Sequence, residues 1–126
     1  MKKIFFVVLI MVLTMLSCQD EGQNVIKTFT MYPNPYSAES KNATTFRIQL
    51  RQSVLNVPIE IVITDSNHQE IWRFQGELSG GPGLPIDVEW RGENNNGITL
   101  SPGIYMARVF VGGSLKGEKW IDIMIL

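Results

Sequence analysis

The sequence predicts an all-β protein, an immunoglobulin-like antiparallel β-sandwich of about seven strands. Short segments in which apolar and polar residues alternate recur along the chain, and clusters of glycine, proline and asparagine separate them. Patterns of helical period are absent from these segments. Seven short strands in about 100 residues are typical of a sandwich whose two sheets bury their apolar faces against each other.

The strands follow one another from residue 27 to residue 126. Thr45–Leu50 alternates cleanly, and Val57–Thr64 places four aliphatic side chains on one face. Pro58 suits only the start or the edge of its strand, because proline cannot donate a ladder hydrogen bond. In chain order, the predicted strands are 27–31, 45–50, 57–64, 69–75, 86–90, 103–111 and 116–126.

Turn signals separate these strands. Asp65-Ser66-Asn67-His68 predicts a tight turn, and Gly112-Gly113 predicts a hairpin turn. Residues 76–85 are rich in glycine and proline and predict a loop, as does the polar segment 91–102.

The alternation also predicts the core. Two choices stay open, Trp72 or Phe74 and Ile121 or Ile123 or both, because their strands are apolar on both faces. The remaining predicted core residues are Phe46, Ile48, Ile59, Ile61, Ile63, Val88, Trp90 and Tyr105.

The N-terminal segment has the pattern of a signal peptide. Lys2 and Lys3 precede a 13-residue run, Ile4–Leu16, that is apolar apart from Thr14. As a helix this run would span about 20 Å. A bilayer core is about 30 Å thick, so the run is too short to cross it comfortably and suits a signal-peptide hydrophobic region.

The residues that follow, Met15-Leu16-Ser17-Cys18, resemble the lipobox of bacterial lipoproteins. That resemblance implies cleavage before Cys18, diacylglycerol on its thiol and acylation, for example by palmitate, of the new amine. Two or more acyl chains would anchor the protein stably to a membrane. The alternative is an uncleaved signal anchor in which Cys18 is an inert buried cysteine.

Gln19-Asp20-Glu21 resembles the surface-export signal of Bacteroidota lipoproteins. The resemblance implies an outer-membrane location, on the periplasmic face or at the cell surface. The alternative is that these residues form an ordinary solvated tether. We therefore expect three parts: a signal peptide of residues 1–17, a lipidated polar tether of 18–27 and a sandwich domain of 28–126.

Composition restricts the partners further. Removing residues 1–17 leaves 109 residues with 9 basic and 12 acidic side chains, a net charge of −3. This balance does not suggest a nucleic-acid-binding protein. Cys18 is the only cysteine, so the domain cannot form an internal disulfide.

Three motifs, taken together, resemble a known family. They are Tyr32-Pro33-Asn34-Pro35-Tyr36, the turn segment Ile61–Ile71, and Trp90-Arg91-Gly92 followed by Gly97 and Leu100–Tyr105. They resemble the immunoglobulin-like domains of flagellar hook-capping proteins and the C-terminal sorting domains of type IX secretion cargo. The resemblance covers roughly residues 32–126 and implies a docking or assembly module without shared chemistry.

Two positions depart from that family pattern. Asn67 stands where the family has glycine, and we expect it to adopt positive φ because asparagine tolerates this conformation next best. Arg91 replaces the usual aspartate, which argues against a metal role for its loop. Tyr105, after Pro102-Gly103, resembles the tyrosine corner of sandwich folds.

The sequence suggests no catalytic, cofactor or metal site. His68 is the only histidine, so a histidine-based triad or a two-histidine zinc site cannot form. Glu89, Glu93 and Asn94–Asn96 lack the spacing of an EF-hand, and Asn-Gly is ordinary turn chemistry. We therefore expect a non-enzymatic protein without a cofactor.

Candidate partner contacts remain. Trp120 alternates with Ile121 and Ile123, so it either faces outward with Met124 or packs under the N-terminal segment. Asn94 and Asn95 lie in the polar loop. We expect a lipid-anchored envelope protein that uses the edge of 117–126 or the 91–102 loop to dock an envelope protein of unknown identity. The alternative is a carbohydrate- or surface-binding module, which requires a row of exposed aromatic side chains.

Overall fold

A computed structural model describes residues 24–40 and 42–126, and within these ranges the chain forms seven strands in two antiparallel sheets. The three-stranded sheet has the order β1-β2-β5, and the four-stranded sheet has the order β4-β3-β6-β7. This arrangement confirms the predicted sandwich. The strands are β1 Ile26–Tyr32, β2 Thr44–Leu50, β3 Val54–Thr64, β4 Glu70–Gly80, β5 Ile86–Trp90, β6 Gly103–Val111 and β7 Gly117–Ile125, with a 3-10 turn at Ala38–Ser40.

The core lies between the sheets, where the alternating strands direct their apolar side chains. Ile123 is buried and Ile121 half-buried, whereas Trp72 and Phe74 are both half-buried against the core. Tyr105, a predicted core residue, is also only half-buried. The other predicted core residues are buried, and the structure adds Val25, Ile26, Phe29, Met31, Tyr36, Leu50, Val54, Ile86, Ala107, Val109, Val111 and Ile125.

An inner aromatic cluster occupies the centre of this core. The three shortest distances between ring centroids in the cluster are 5.6 Å for Phe29–Phe46, 5.8 Å for Trp72–Trp90 and 5.9 Å for Phe46–Trp90. Trp90 is 1% exposed, and its Nε1 donates to the carbonyl of Glu93 at 2.9 Å. The hydrogen bond satisfies the one polar atom of a large buried side chain. The cluster consists of Phe29, Tyr36, Phe46, Trp72 and Trp90.

The predicted loop of residues 76–85 is wrong over its first half, because β4 continues to Gly80. β3 offers an equally long partner, with Val57 opposite Leu78 and Val54 opposite Gly80. A Cβ at Gly80 would lie 2.7 Å from Ile86 Cγ1, so glycine permits the close approach of β5. The loop shrinks to the turn Gly81–Leu84, closed by two main-chain hydrogen bonds.

The turn between β3 and β4 forms at the predicted place, but the expectation for Asn67 is wrong. His68, not Asn67, has positive φ, at 61°. Asp65 Oδ1 accepts the main-chain N–H of Asn67 at 2.8 Å and of Gln69 at 3.0 Å, which holds the turn. The left-handed residue therefore follows the two central turn residues, as in hairpins closed by a type I turn and a bulge.

Two details around β6 also differ from the prediction. Pro58 lies inside β3, a central strand, and is tolerated because the pairing with β6 starts one residue later, at Ile59 and Val111. The carbonyl of Pro58 accepts from Gly112 N at 2.9 Å. The β6–β7 connection spans residues 112–116, one residue longer than the predicted strand bounds leave.

The domain includes residues that the sequence assigned to the tether. Val25 and Ile26 are buried, and β1 begins at Ile26. Residues 1–17, Cys18 and the tether up to residue 23 lie outside the described residues. Within the described ranges, no helix is long and apolar enough to cross a membrane.

Candidate functional site

The outer face of the β6–β7 pair carries the largest exposed side chains of the four-stranded sheet. Alternation directs residues 104, 106, 108 and 110 of β6 and residues 118, 120, 122 and 124 of β7 away from the core. The register sets them opposite one another as the pairs Ile104–Met124, Met106–Asp122, Arg108–Trp120 and Phe110–Glu118.

Arg108 lies between two rings on this face. Its guanidinium carbon is 5.3 Å from the centroid of Trp120 and 5.8 Å from that of Phe110, within the range of cation–π attraction. Arg108 Nε lies 3.0 Å from Glu118 Oε1, an ion pair whose alignment is outside hydrogen-bond geometry. Phe110, Arg108, Trp120 and Glu118 form what we call the outer aromatic cluster.

Glu118 also fixes the orientation of the tryptophan. Trp120 Nε1 donates to Glu118 Oε1 at 2.9 Å, so one carboxylate oxygen serves both the indole and the guanidinium. Trp120 nevertheless stays 51% exposed and Phe110 37% exposed. Of the two readings of Trp120, the structure shows the outward one, and Met124 is exposed beside it.

The neighbouring strands continue this face with charged pairs. Glu60 of β3 lies opposite Phe110, and Arg73 of β4 pairs with both Glu60 and Glu70. The hydrogen bond from Arg73 holds the pKa of Glu70 below its ordinary value. A cavity of 390 Å³, lined by residues that include Pro58 and Phe110, opens beside these charges.

Strand β7 forms one edge of the four-stranded sheet, and two asparagine side chains cover much of it. Asn24 donates from Nδ2 to the carbonyl of Glu118 at 2.5 Å and accepts the N–H of Glu118 at 3.2 Å. Asn34 donates to the carbonyl of Asp122 at 3.0 Å and accepts the N–H of Met124 at 3.1 Å. Each amide thus replaces part of a missing neighbour strand.

Tyr36 closes the end of the same edge. Its N–H donates to Met124 O at 2.9 Å, and its carbonyl accepts from Leu126 N at 2.9 Å. Its ring is buried beside Trp90, with centroids 6.3 Å apart, and its hydroxyl donates to the carbonyl of Asn42. Burial raises the pKa of this hydroxyl. The Tyr32–Tyr36 motif therefore joins the core to the β7 edge.

One stretch of the β7 edge stays open. Strand alternation directs the N–H and C=O of Trp120 to the same edge as those of Glu118 and Asp122. No hydrogen bond from the described residues reaches the main chain of Trp120 there. The open stretch thus coincides with the outer aromatic cluster.

The two predicted loop contacts lie elsewhere. Asn95 donates its N–H to Ile71 O and accepts the N–H of Arg73 on Oδ1, both at 3.0 Å. It therefore covers the edge of β4, across the sheet from β7. Asn94 Oδ1 accepts from Asn96 N and Ile98 N at 2.9 Å and holds its own loop together. The structure does not bring Asn94 and Asn95 together with Trp120 and Met124.

The structure also gives the positions of other residues that the sequence analysis considered as candidate sites. Tyr105 donates its hydroxyl to the carbonyl of Ser101 at 2.8 Å, which confirms the tyrosine corner. His68 is exposed in its turn. The described ranges contain no group of three or more His, Cys, Asp or Glu side chains placed to hold a metal ion. Cys18, the predicted lipidation site, lies outside the described residues.

Sequence reasoning missed Arg108 and Phe110. The signal was present, because alternation from Ala107 to Val111 places both side chains on the outer face. Their meeting with Trp120 depends on the register of the hairpin, which the sequence alone did not supply.

No family model matches the chain, and no curated protein matches it. Solved structures do. One is that of PorZ, an essential bacterial surface component of the type IX secretion system of Porphyromonas gingivalis, with a TM-score of 0.52 and 22% identity. The match covers 78% of this chain and 11% of PorZ.

A second is the crystal structure of dimeric latent PorU from Porphyromonas gingivalis, with a TM-score of 0.61 and 18% identity over 78% of this chain and 9% of PorU. This chain therefore spans about a tenth of each of these proteins. At such identities the likeness shows the fold alone, and at that level it agrees with the family resemblance of the sequence motifs.

Proposed function

We propose that this protein is a non-enzymatic, lipid-anchored cell-envelope protein that presents its sandwich to a partner protein as a docking or assembly module. The observation that carries the proposal is the outer aromatic cluster beside the open stretch of β7. Lipidated Cys18 would supply the anchor at the outer membrane, on its periplasmic face or at the cell surface.

The composition of the outer cluster favours a protein partner. Tryptophan and arginine are the residues most enriched among side chains that dominate binding energy at protein interfaces. Glu118 and Arg108 hold Trp120 in one orientation, which lowers the entropy lost when a partner covers it. The open main chain of Trp120 could pair with an extended segment of the partner.

The fold likeness supports the envelope setting. PorZ is a surface component of a secretion system and contains a domain with this fold. The motifs that resemble type IX sorting domains point to the same setting. A short tether after Cys18 would keep the domain close to the membrane.

Replacing Cys18 with serine tests the anchor. We expect the variant to leave the membrane fraction, and we expect mass spectrometry of the unchanged protein to find an acylated N-terminal cysteine. Protease treatment of intact and lysed cells then shows on which side of the outer membrane the domain lies. Unchanged membrane retention of the serine variant, without lipid on the natural protein, would refute the anchor.

A photo-crosslinking amino acid at position 120 tests the docking surface. We expect a discrete adduct in cells from position 120, and its loss when Arg108 is replaced with glutamate. Tyr32, which is 83% exposed on the three-stranded sheet, is the matched control position. Equal adducts from positions 32 and 120 would show that exposure alone, not this surface, determines the contact.

A carbohydrate-binding module is the second candidate, because Phe110 and Trp120 are two exposed aromatic side chains on one sheet. Arg108, however, covers the ring faces that are turned toward it, where a sugar would stack. Calorimetry with envelope polysaccharides, using Trp120→Ala against Tyr32→Ala, decides between them. Saccharide binding that depends on Trp120 would favour this candidate over a protein partner.

A further inference from the structure

The two ends of the sandwich differ in charge. One end, which we call the basic end, is formed by segments 24–27, 51–56, 79–85 and 112–117. These segments contain Lys27, Arg51 and Lys116 and no acidic residue. The loops at the opposite end, 33–43, 65–69 and 91–102, contain Glu39, Asp65 and Glu93 together with Lys41 and Arg91, a net charge of −1 against +3 at the basic end.

The three basic side chains border one continuous surface. Lys27 and Arg51 line a cavity of 490 Å³ together with the turn at Gly81–Gly83. Arg51 also lines a cavity of 240 Å³ together with Lys116. All three side chains are exposed, and Arg51 Nε donates to the carbonyl of Asn24 at 3.1 Å. The basic end therefore offers cations around openings large enough for phosphate-sized groups.

Two leucines project from the same end. Leu55 is 78% exposed and Leu84 is 63% exposed. Leu84 ends the turn Gly81–Leu84. Its N–H donates to the carbonyl of Gly81 at 2.9 Å and its carbonyl accepts from Gly81 N at 3.0 Å, so the turn holds the side chain outward. Exposed aliphatic side chains among lysine and arginine are characteristic of surfaces that lie in a membrane interface.

The chain enters the domain at this end. Asn24 precedes Val25, whose N–H donates to the carbonyl of Lys116 at 3.2 Å. The residues between Cys18 and Asn24 form the short tether, which includes Asp20 and Glu21. An anchor at Cys18 would therefore bring the basic end, rather than the opposite end, to the membrane.

We propose that the basic end docks on anionic lipid headgroups, with Lys27, Arg51 and Lys116 against lipid phosphates and Leu55 and Leu84 in the interface. This inference rests on the membrane anchor of the proposed function and adds an orientation to it. The sandwich would stand with loops 33–43, 65–69 and 91–102 away from the bilayer, and the β7 edge would stay accessible from the side. Each cation near an anionic surface strengthens association about fivefold.

The test uses the full chain, extracted from membranes and reconstituted into vesicles with or without phosphatidylglycerol. A polarity-sensitive fluorophore is placed on Leu84→Cys or, as the matched control at the far end, on Asn96→Cys. With Cys18 lipidated, the introduced cysteine is the only free thiol. We expect acrylamide to quench the fluorophore at position 84 several-fold less in anionic than in neutral vesicles, and to quench position 96 equally in both.

Charge variants then identify the cause. A triple variant should lower the equilibrium constant for docking about 100-fold and abolish the protection of position 84. It combines Lys27→Gln, Arg51→Gln and Lys116→Gln. A charge-conserving triple variant should retain that protection. It combines Lys27→Arg, Arg51→Lys and Lys116→Arg. High salt should also abolish the protection in the chain with its natural charges, which tests the inference even where a triple variant unfolds.

The failures are distinguishable. Protein that does not float with either kind of vesicle would refute the anchor, and this inference with it. Protein that floats but leaves position 84 as open to acrylamide as position 96 would overturn this inference alone. Protection that survives both high salt and loss of the three charges would also overturn it, because an aliphatic contact would then suffice.

Discussion

The sandwich contains two groups of aromatic side chains, the inner aromatic cluster between the sheets and the outer aromatic cluster on β6 and β7. In the inner cluster, rings touch rings, and Trp90 is 1% exposed. In the outer cluster a guanidinium separates the two rings, and Trp120 is 51% exposed. The same residue type thus serves packing in one place and stays accessible in the other.

The difference lies in what fixes each indole. Trp90 is held by surrounding rings and by one hydrogen bond to the carbonyl of Glu93. Trp120 is held by Glu118 and Arg108, two polar side chains that themselves remain partly exposed. An indole fixed without burial gains little stability for the fold, because most of its surface stays in water. It is instead prepared for a contact outside the domain.

Replacing each tryptophan with alanine should separate these roles most strongly. Trp90→Ala removes a large buried side chain and should lower the free energy of unfolding by about 3–5 kcal/mol. Trp120→Ala should lower it by less than about 1 kcal/mol. Urea unfolding followed by far-UV circular dichroism measures both. Comparable losses in the two variants would show that the outer cluster is part of the stabilising core.

The asparagines that cover the β7 edge beside the outer cluster should have an intermediate effect. Asn34→Ala removes two hydrogen bonds to the β7 main chain and should cost about 1–2 kcal/mol. Hydrogen exchange at the amide of Met124 should accelerate, whereas Asn96→Ala, in an exposed loop, should leave it unchanged. Unaltered exchange in Asn34→Ala would mean that the edge does not depend on this side chain.

The sequence predicted most of the sandwich because alternation is a strong signal in strands buried on one face. It failed over the second half of β4, where Gly76 and Gly80, followed by Gly81-Pro82, have the composition of a loop. There the pairing with β3 outweighs local propensity, and Gly80 serves the close approach of Ile86. It failed at His68 because the position of the left-handed residue depends on the turn type, which several sequences can satisfy.

The candidate site was only half predictable for a related reason. Alternation left two positions open for Trp120, outward with Met124 or under the N-terminal segment. The predicted strand bounds leave a connection of residues 112–115, which would set Arg108 opposite Lys119, whereas the observed connection sets it opposite Trp120. One residue of register thus creates the outer cluster. Asn94 and Asn95 are predicted partner contacts in the polar loop, and in the structure their side-chain oxygens accept internal hydrogen bonds.

Alkaline pH should act on the inner cluster through Tyr36. Burial raises the pKa of its hydroxyl in the folded protein. The unfolded chain therefore ionises first, and stability should fall as pH rises from about 10 toward the raised pKa. Unfolding midpoints across this range should decrease, and Tyr36→Phe should flatten that decrease. A profile that Tyr36→Phe leaves unchanged would assign the alkaline loss to other groups.

Low pH should act on the ion pairs of the outer faces instead, and it should lower the free energy of unfolding by the smallest amount. Hydrogen bonds from Arg73 and Arg47 lower the pKa of Glu70 and Asp87 in the folded protein. The unfolded chain then takes up protons first, so the contribution of these carboxylates is complete above about pH 5 and is lost as pH falls through the lowered values.

Both carboxylates are more than a third exposed, so water screens them and the Glu70 pair should contribute only about 0.2–1 kcal/mol. Unfolding midpoints at pH 7 and at pH 3 measure the loss, which Glu70→Gln and Asp87→Asn should each reduce. The near-UV circular dichroism of the inner cluster should persist at pH 3, because ring packing and hydrogen bonds to main-chain carbonyls hold Trp90 and Tyr36. If that signal disappears at a higher pH than the one at which the outer ion pairs lose their contribution to stability, the acid-sensitive contacts lie inside the core and not on the outer faces.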